Sequence, residues 1–361
     1  METTTTTADR PVPPAPADWK VLVAPFQRPS LARALWQVVT SLGSYAVLWW
    51  LMYLAVGVSW WLAIPLAVLA AAILVRVFII FHDCGHGSFF KSNAANDFLG
   101  FVCGLLTFTP YFQWRGEHAR HHKTSGDLDR RGVGDVWTMT VQEYLEASRW
   151  KRFAYRLARN PFVLFVLAPM FLFLVIQRFP PRGVTGRDRT SVWWMNLAIL
   201  VMAATMSWIF GLLPYLILQL TVSCVASSLG VWLFYVQHQF EDSYWARGES
   251  WDYSAAALRG SSFYKLPRVL QWFSGNIGFH HIHHLSPRIP NYRLQACHCS
   301  DPLFNRVKPL TLFSSLKSIN LRLWDESTQK LVGYKHLRDE RKRRRRAVAG
   351  KSSDPDHPTP D

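Results

Sequence analysis

Histidines are concentrated in three short clusters of this sequence, and their spacing constrains the chain more than any other feature. The first box holds His82 and His86, the second His118, His121 and His122, and the third His280, His283 and His284. Residues three or four positions apart share one helix face, so each box can direct its rings to a common point. A lone histidine is usually an ordinary core or surface residue, but three such boxes predict a metal site. Clustered imidazole with almost no thiolate suits iron, copper, zinc or nickel.

Two long uncharged stretches predict that the chain crosses a membrane. Residues 34–75 and 190–240 contain no Asp, Glu, Lys or Arg. Each stretch is about twice the roughly 20 residues that cross a bilayer as a helix. We therefore expect two transmembrane helical hairpins, over about 34–81 with a turn near 57–59 and over about 190–240 with a turn near 211–214.

The topology follows from the shared site and from the distribution of positive charge. A site built from all three boxes and His238 requires them on one side of the membrane, so the shorter uncharged runs 98–114 and 160–177 should be re-entrant or interfacial. All 40 Lys and Arg residues lie outside the uncharged stretches 34–75 and 190–240. The positive-inside rule then places both termini and the boxes in the cytoplasm. The predicted fold is an all-α integral membrane protein with four spans, re-entrant or interfacial helices and a cytoplasmic histidine-rich domain.

The two ends of the chain differ in composition from its centre. Residues 1–33 begin with a Thr/Pro/Ala-rich stretch, which predicts a disordered or amphipathic segment without a cleavable signal peptide. Residues 34–337 form the predicted membrane domain, and 338–361 a basic disordered tail that binds anionic lipid or stays solvated. No nucleic-acid partner is expected. The five cysteines form no C-x-x-C pair, which predicts free thiols in a reducing compartment.

The motifs around the boxes resemble those of the membrane fatty acid desaturases. The matching stretches are HDCGHGSFF, WRGEHARHHKTSGDLDR, FYVQHQFED and GNIGFHHIHHLSPRIPNYRL, and they look most like the acyl-lipid desaturases of the delta-12 type and their bacterial relatives. The resemblance covers about 78–294. These motifs are highly specific for the superfamily and only moderately specific for the reaction.

The resemblance implies a non-haem diiron centre in the cytoplasmic domain, without catalytic residues beyond the metal centre and without another cofactor site. His281 is expected to lie beside the ligands or at the surface, and Asn276 could hold a water or ligate the metal weakly. Some acidic residues near the boxes should accept hydrogen bonds from ring nitrogens; these are Asp83, Glu117, Asp127, Asp129, Glu241 and Asp242. The implied metal ligands are His82, His86, His118, His121, His122, His238, His280, His283 and His284.

The implied function is that of an O2-dependent desaturase that introduces a double bond into an acyl chain carried by a membrane lipid. The chain lacks a Gly-rich nucleotide-binding fingerprint, so an external electron donor, a ferredoxin or a similar carrier, is expected. A diiron hydroxylase or a carotenoid ketolase or hydroxylase on the same scaffold is an alternative that histidine spacing does not separate. A metal-containing transporter or lipid-binding scaffold is a non-enzymatic alternative, although transporter sites usually lie near the bilayer midplane.

Overall fold

The computed structural model describes residues 19–338, which are mostly helical. The predictions for 1–18 and 339–361 lie outside the described residues. Within the expected N-terminal segment, residues from Trp19 onward form helices, and Val23 is fully buried.

The helices up to the second histidine box are α1 (Trp19–Val23), α2 (Leu31–Val38), α3 (Ser44–Val56), α4 (Trp60–Gly85), α5 (Asn93–Leu106) and α6 (Tyr111–Thr124). The next are α7 (Val141–Glu146), α8 (Arg149–Ala158), α9 (Ala168–Leu174), α10 (Gly186–Phe210) and α11 (Leu212–His238). The remaining ones are α12 (Tyr253–Gly260), α13 (Arg268–Phe273), α14 (His280–Leu285), α15 (Asn291–His298), α16 (Pro302–Asn305) and α17 (Leu312–Ser315). Short 3-10 or π segments cover Ala24–Phe26, Val39–Gly43, Val163–Leu167, Ile176–Arg178, Gly248–Ser250 and Leu316–Asn320.

Four helices are long and apolar enough to cross a membrane. They are Leu31–Val56, which joins α2 to α3 through a π segment, and α4, α10 and α11. The chain breaks between them at 57–59 and at Gly211, where turns were predicted. A further pair, α8 and Val163–Arg178, is bent by 63° and could count as a fifth span.

Helix α4 lies at the centre of the bundle and carries the first histidine box at its C-terminal end. It packs against α3, α5 and α11. Its alanines Ala63, Ala67, Ala70 and Ala71 are fully buried, and such small residues allow neighbouring membrane helices to approach closely. The first box is thereby held in the middle of the molecule.

Two small sheets depart from the all-α prediction. Strand β1 (Met139–Thr140) pairs in parallel with β4 (Leu323–Asp325), which pairs antiparallel with β5 (Lys330–Val332). Strand β2 (Phe263–Lys265) pairs in parallel with β3 (Pro309–Thr311). Two or three residues are too few to show the alternating pattern of a strand. The partners of β1 and β2 also lie far away in the sequence. Local periodicity therefore does not predict these strands.

Gly278, just before the third box, provides a test of this packing. The Gly278 carbonyl accepts a hydrogen bond from Tyr264 N of β2 (2.7 Å), and a Cβ at 278 would overlap the Tyr264 carbonyl oxygen. We expect Gly278→Ala to lower the free energy of unfolding by about 1–3 kcal/mol, measured by thermal unfolding in detergent. Gly230→Ala is the control, because nothing lies within 4 Å of its added Cβ. Equal melting temperatures for the two variants would contradict the packing described.

Candidate metal centre

Nine histidines from four separate parts of the chain meet where several helices end. His82 lies in the last turn of α4, and His86 follows that helix directly. The second box occupies the end of α6, His238 is the last residue of α11, and the third box forms most of α14. The helical spacing seen in the sequence therefore directs the rings of each box toward a common point, as expected.

Five of these histidines form a first group: His82, His86, His118, His122 and His283. One ring nitrogen from each lies within 4.8 Å of those of the others. His122 Nε2 is central, at 3.1 Å from His118 Nε2 and 3.0 Å from His283 Nε2. His86 and His118 are partly exposed, whereas the other three are buried.

The other histidines form a second group around His238. One ring nitrogen from each of His121, His238 and His284 also lies within 4.8 Å of those of the other two. His238 Nε2 is 3.2 Å from His121 Nε2 and 3.0 Å from His280 Nε2, so His280 adjoins this group. The rings of His122 and His284 stack at 4.2 Å between centroids. The two groups are therefore direct neighbours.

The spacing of these nitrogens fits two bound metal ions. Metal–imidazole bonds of about 2.1 Å that meet at a right angle place two nitrogens about 3.0 Å apart, close to the separations around His122 and His238. His86 Nε2 and His284 Nε2 are buried without a hydrogen-bond partner among the described residues. A buried polar atom without a partner is unfavourable unless something binds it. The donor set, all nitrogen, suits a transition metal.

Burial keeps the imidazoles in the form that binds metal. Removal from water lowers the pKa of His122, His283 and His284 well below the ordinary value, and the neighbouring imidazoles lower it further. The same holds for the pKa of His280. A neutral ring offers a lone pair to a cation, while a protonated ring offers none.

Hydrogen bonds at Nδ1 fix the orientation of three of these rings. His82 Nδ1 lies 3.1 Å from Asp83 Oδ1, and His121 Nδ1 lies 2.8 Å from Asp135 Oδ1. His238 Nδ1 lies 3.4 Å from the Gly260 carbonyl. An acceptor at Nδ1 holds the proton there and leaves Nε2 free for a metal.

Comparison with known proteins explains this arrangement. The family model for fatty acid desaturases matches residues 59–304. A fatty acid desaturase of Bacillus subtilis (strain 168) is 47% identical over 316 residues, which cover 88% of this chain and 90% of the relative. The chain belongs to the fatty acid desaturase family. It is accordingly an oxidoreductase that acts as a fatty acid desaturase, and the transporter or scaffold alternative is set aside.

More distant relatives include acyl-lipid desaturases of Synechocystis sp. (strain ATCC 27184 / PCC 6803 / Kazusa). Its sn-1 oleoyl-lipid 12-desaturase is 27% identical over 280 residues, covering 74% of this chain and 76% of the relative. Its sn-1 acyl-lipid omega-3 desaturase (ferredoxin) is 25% identical over 285 residues, covering 74% of each. The resemblance read from the motifs is confirmed.

Of the acidic residues that were expected to orient rings, the structure places only Asp83 in that role among the described residues. Asp127 accepts hydrogen bonds from its own loop and from Arg130, and Asp129 pairs with Arg247. Glu117 accepts from Gln113, and Glu241 and Asp242 lie within 4.0 Å of Lys330. Asp135 was missed because no spacing rule links it to His121. Its loop approaches His121 at Gly134, which has a φ of 69° and where a Cβ would lie 3.1 Å from His121 Cβ.

The remaining histidines of the described residues lie outside both groups. His281 is fully buried rather than at the surface, and its Nε2 lies 3.1 Å from His298 Nδ1. Asn276 adopts a φ of 61° in the turn after α13. His336 pairs with Asp325 at 2.9 Å, and His357 lies outside the described residues.

Loss of the Asp135 carboxylate should weaken metal binding by this desaturase. We expect Asp135→Asn to lower metal affinity about 10–100-fold, because the amide is a weaker acceptor for His121 Nδ1. The measurement is metal content after dialysis against a graded series of chelator concentrations. Asp129→Asn is the control, since that carboxylate pairs with Arg247 at an exposed position. Equal metal retention in the two variants would refute the role given to Asp135.

Proposed function

We propose that the nine histidines hold two iron ions and that the enzyme uses O2 to introduce a double bond into a lipid-linked acyl chain. His82, His86, His118, His122 and His283 would hold one ion, and His121, His238, His280 and His284 the other. The observation that carries the proposal is the pair of nitrogen clusters around His122 and His238. Membership of the desaturase family favours iron over the other metals that imidazole suits.

When bound, the ions supply the oxidising chemistry that no side chain can supply, because a methylene pair is not acidic enough for a protein base. The chain itself positions the imidazoles and keeps water away from them. Trp114 stacks on His118 at 4.4 Å between ring centroids, and Phe234 covers His121 and His238 at 5.3 and 5.1 Å. His86 and His118 are the partly exposed members of the first group, so the acyl chain would approach from their side.

A lipid-linked substrate is supported by the relatives named as acyl-lipid desaturases. One of those names includes ferredoxin, which supports a ferredoxin or a similar separate carrier as the electron donor. The basic net charge of +16 would attract an acidic carrier, with an association rate that falls as salt rises.

The proposed topology has two transmembrane hairpins, with both termini and the metal centre in the cytoplasm. It is supported by the absence of Lys and Arg from 34–75 and 190–240, which gives the outer turns no positive charge. His82 and His86 lie at the C-terminal end of α4, and His238 lies at that of α11, as a site beneath the inner leaflet requires. The desaturase domain would span 34–337.

Product analysis tests the reaction. We expect expression in a host with a simple lipid profile to yield new unsaturated fatty acids, measured by gas chromatography and mass spectrometry of the methyl esters. His121→Ala should abolish the new peaks, because it removes a ligand from the second group. His336→Ala, at a position that pairs with Asp325, should leave them. Hydroxylated products without new double bonds would instead establish the hydroxylase alternative.

Metal content tests the ligand sets directly. We expect about two irons per chain in the purified enzyme and about one or fewer in His283→Ala or His284→Ala, since each loses a ligand. His298→Ala removes a buried histidine outside both groups, so it should keep the full content. Full iron in both ligand variants would contradict the assignment, whatever the activity.

A further inference from the structure

Helix α8 carries an apolar stripe that nothing in the described chain covers. Trp150, Phe153 and Leu157 are 80%, 60% and 50% exposed. Their spacing of three and four residues places them on one face of the helix. Three large apolar side chains aligned on an exposed face indicate a surface that is covered by something else.

The opposite face of α8 is fixed to the protein. Tyr155 is fully buried, and its hydroxyl donates to the Arg322 carbonyl and accepts from Met139 N at 3.2 Å. The rings of Trp137 and Tyr144 lie 5.1 and 5.9 Å from the Tyr155 ring. The helix therefore cannot rotate to bury its stripe, which points away from the sheet formed by β1, β4 and β5.

The residue after α8 fixes its depth relative to the membrane helices. Arg159 donates to Gln239 Oε1 (2.9 Å) and Tyr235 Oη (3.3 Å), at the C-terminal end of α11. Farther along, Phe165 packs on Trp232 and Tyr235 at 5.2 and 5.1 Å between ring centroids. Because α11 is long enough to span a bilayer and ends at His238, α8 lies level with the end of a span.

The charges around the stripe identify what covers it. Residues 147–187 contain no Asp or Glu. Arg149, Lys151 and Arg152 form no ion pair with any described residue. An apolar stripe flanked by unpaired cations is typical of a helix lying in the headgroup layer of an anionic membrane. The basic residues of 147–187 are Arg149, Lys151, Arg152, Arg156, Arg159, Arg178, Arg182 and Arg187.

A transmembrane position for α8 is unfavourable. Four of its ten residues are Arg or Lys, and each costs about 2.5–3.5 kcal/mol at the centre of a membrane helix. In the headgroup layer the same side chains meet phosphate and water. The 63° bend between α8 and Val163–Arg178 allows the helix to lie along the surface while the next segment packs against α11.

We propose that α8 lies in the headgroup layer on the side of the histidine centre and binds anionic phospholipid. Trp150, Phe153 and Leu157 enter the acyl region, and Arg149, Lys151 and Arg152 bind lipid phosphates. The surface does not depend on the metal or on the reaction, so its test stands apart from that of the proposed function.

The first experiment measures where the stripe lies. A spin label is attached at Phe153→Cys in the full chain, with Cys299→Ser to remove an exposed thiol, and the protein is reconstituted in nanodiscs containing phosphatidylglycerol. We expect the label to collide more often with O2, which concentrates in lipid, than with a water-soluble nickel complex. A label at Lys330→Cys, on the sheet to which Tyr155 is joined, should show the opposite preference. A water-accessible label at 153 would overturn the proposal.

The second experiment tests the lipid class. The triple variant Arg149→Gln, Lys151→Gln, Arg152→Gln should bind phosphatidylglycerol at least about tenfold more weakly, measured by native mass spectrometry of lipid titrations. Its binding of phosphatidylcholine should not change. The matched control, Arg306→Gln, Lys330→Gln, Lys335→Gln, removes the same charge from exposed positions elsewhere and should stay within about twofold of the wild type. Equal losses in both variants, or none in the first, would refute anionic-lipid binding by α8.

Discussion

The close approach of buried imidazole nitrogens is the constraint on which the rest of the structure depends. At His122 and at His238, one Nε2 faces two others at 3.0–3.2 Å. Acceptors at Nδ1 of His121 and His238 favour the tautomer whose Nε2 carries a lone pair, so the lone pairs of these two Nε2 atoms face each other and repel. Each buried nitrogen without a partner costs about 1–3 kcal/mol. Bound cations would turn this repulsion into attraction, which links metal binding to folding.

Hydrogen bonds beside the histidines tie the first box and His238 to the third box. Asp83, next to His82, accepts from the backbone N and the side-chain amide of Asn291 at 2.6 and 2.8 Å, joining the first box to the helix after the third. Gln237, next to His238, donates to the Ile277 carbonyl at 3.0 Å. Tyr253 donates to the His284 carbonyl at 2.7 Å. Substitutions at these contacts would disturb the geometry of the centre without removing a ligand.

The sequence predicted those parts of the molecule that depend on local periodicity and on hydropathy. Uncharged runs located the four long helices, and the three- and four-residue spacing of the boxes predicted rings on common faces. Contacts between distant segments left no such pattern. Asp135 reaches His121 because Gly134 lets its loop come close, and the pairing of β1 with β4 joins residues far apart in the sequence. Of the two positions expected for His281, its full burial excludes the surface, and its ring contacts His298.

The most direct test of the central claim is iron K-edge X-ray absorption on the purified enzyme, combined with its iron content. The proposal predicts two irons per chain, a first shell dominated by nitrogen with the multiple scattering typical of imidazole, and an iron–iron contribution. A single iron per chain, or a first shell dominated by carboxylate oxygen or sulfur, would contradict the convergence of nine histidines on two neighbouring metal ions.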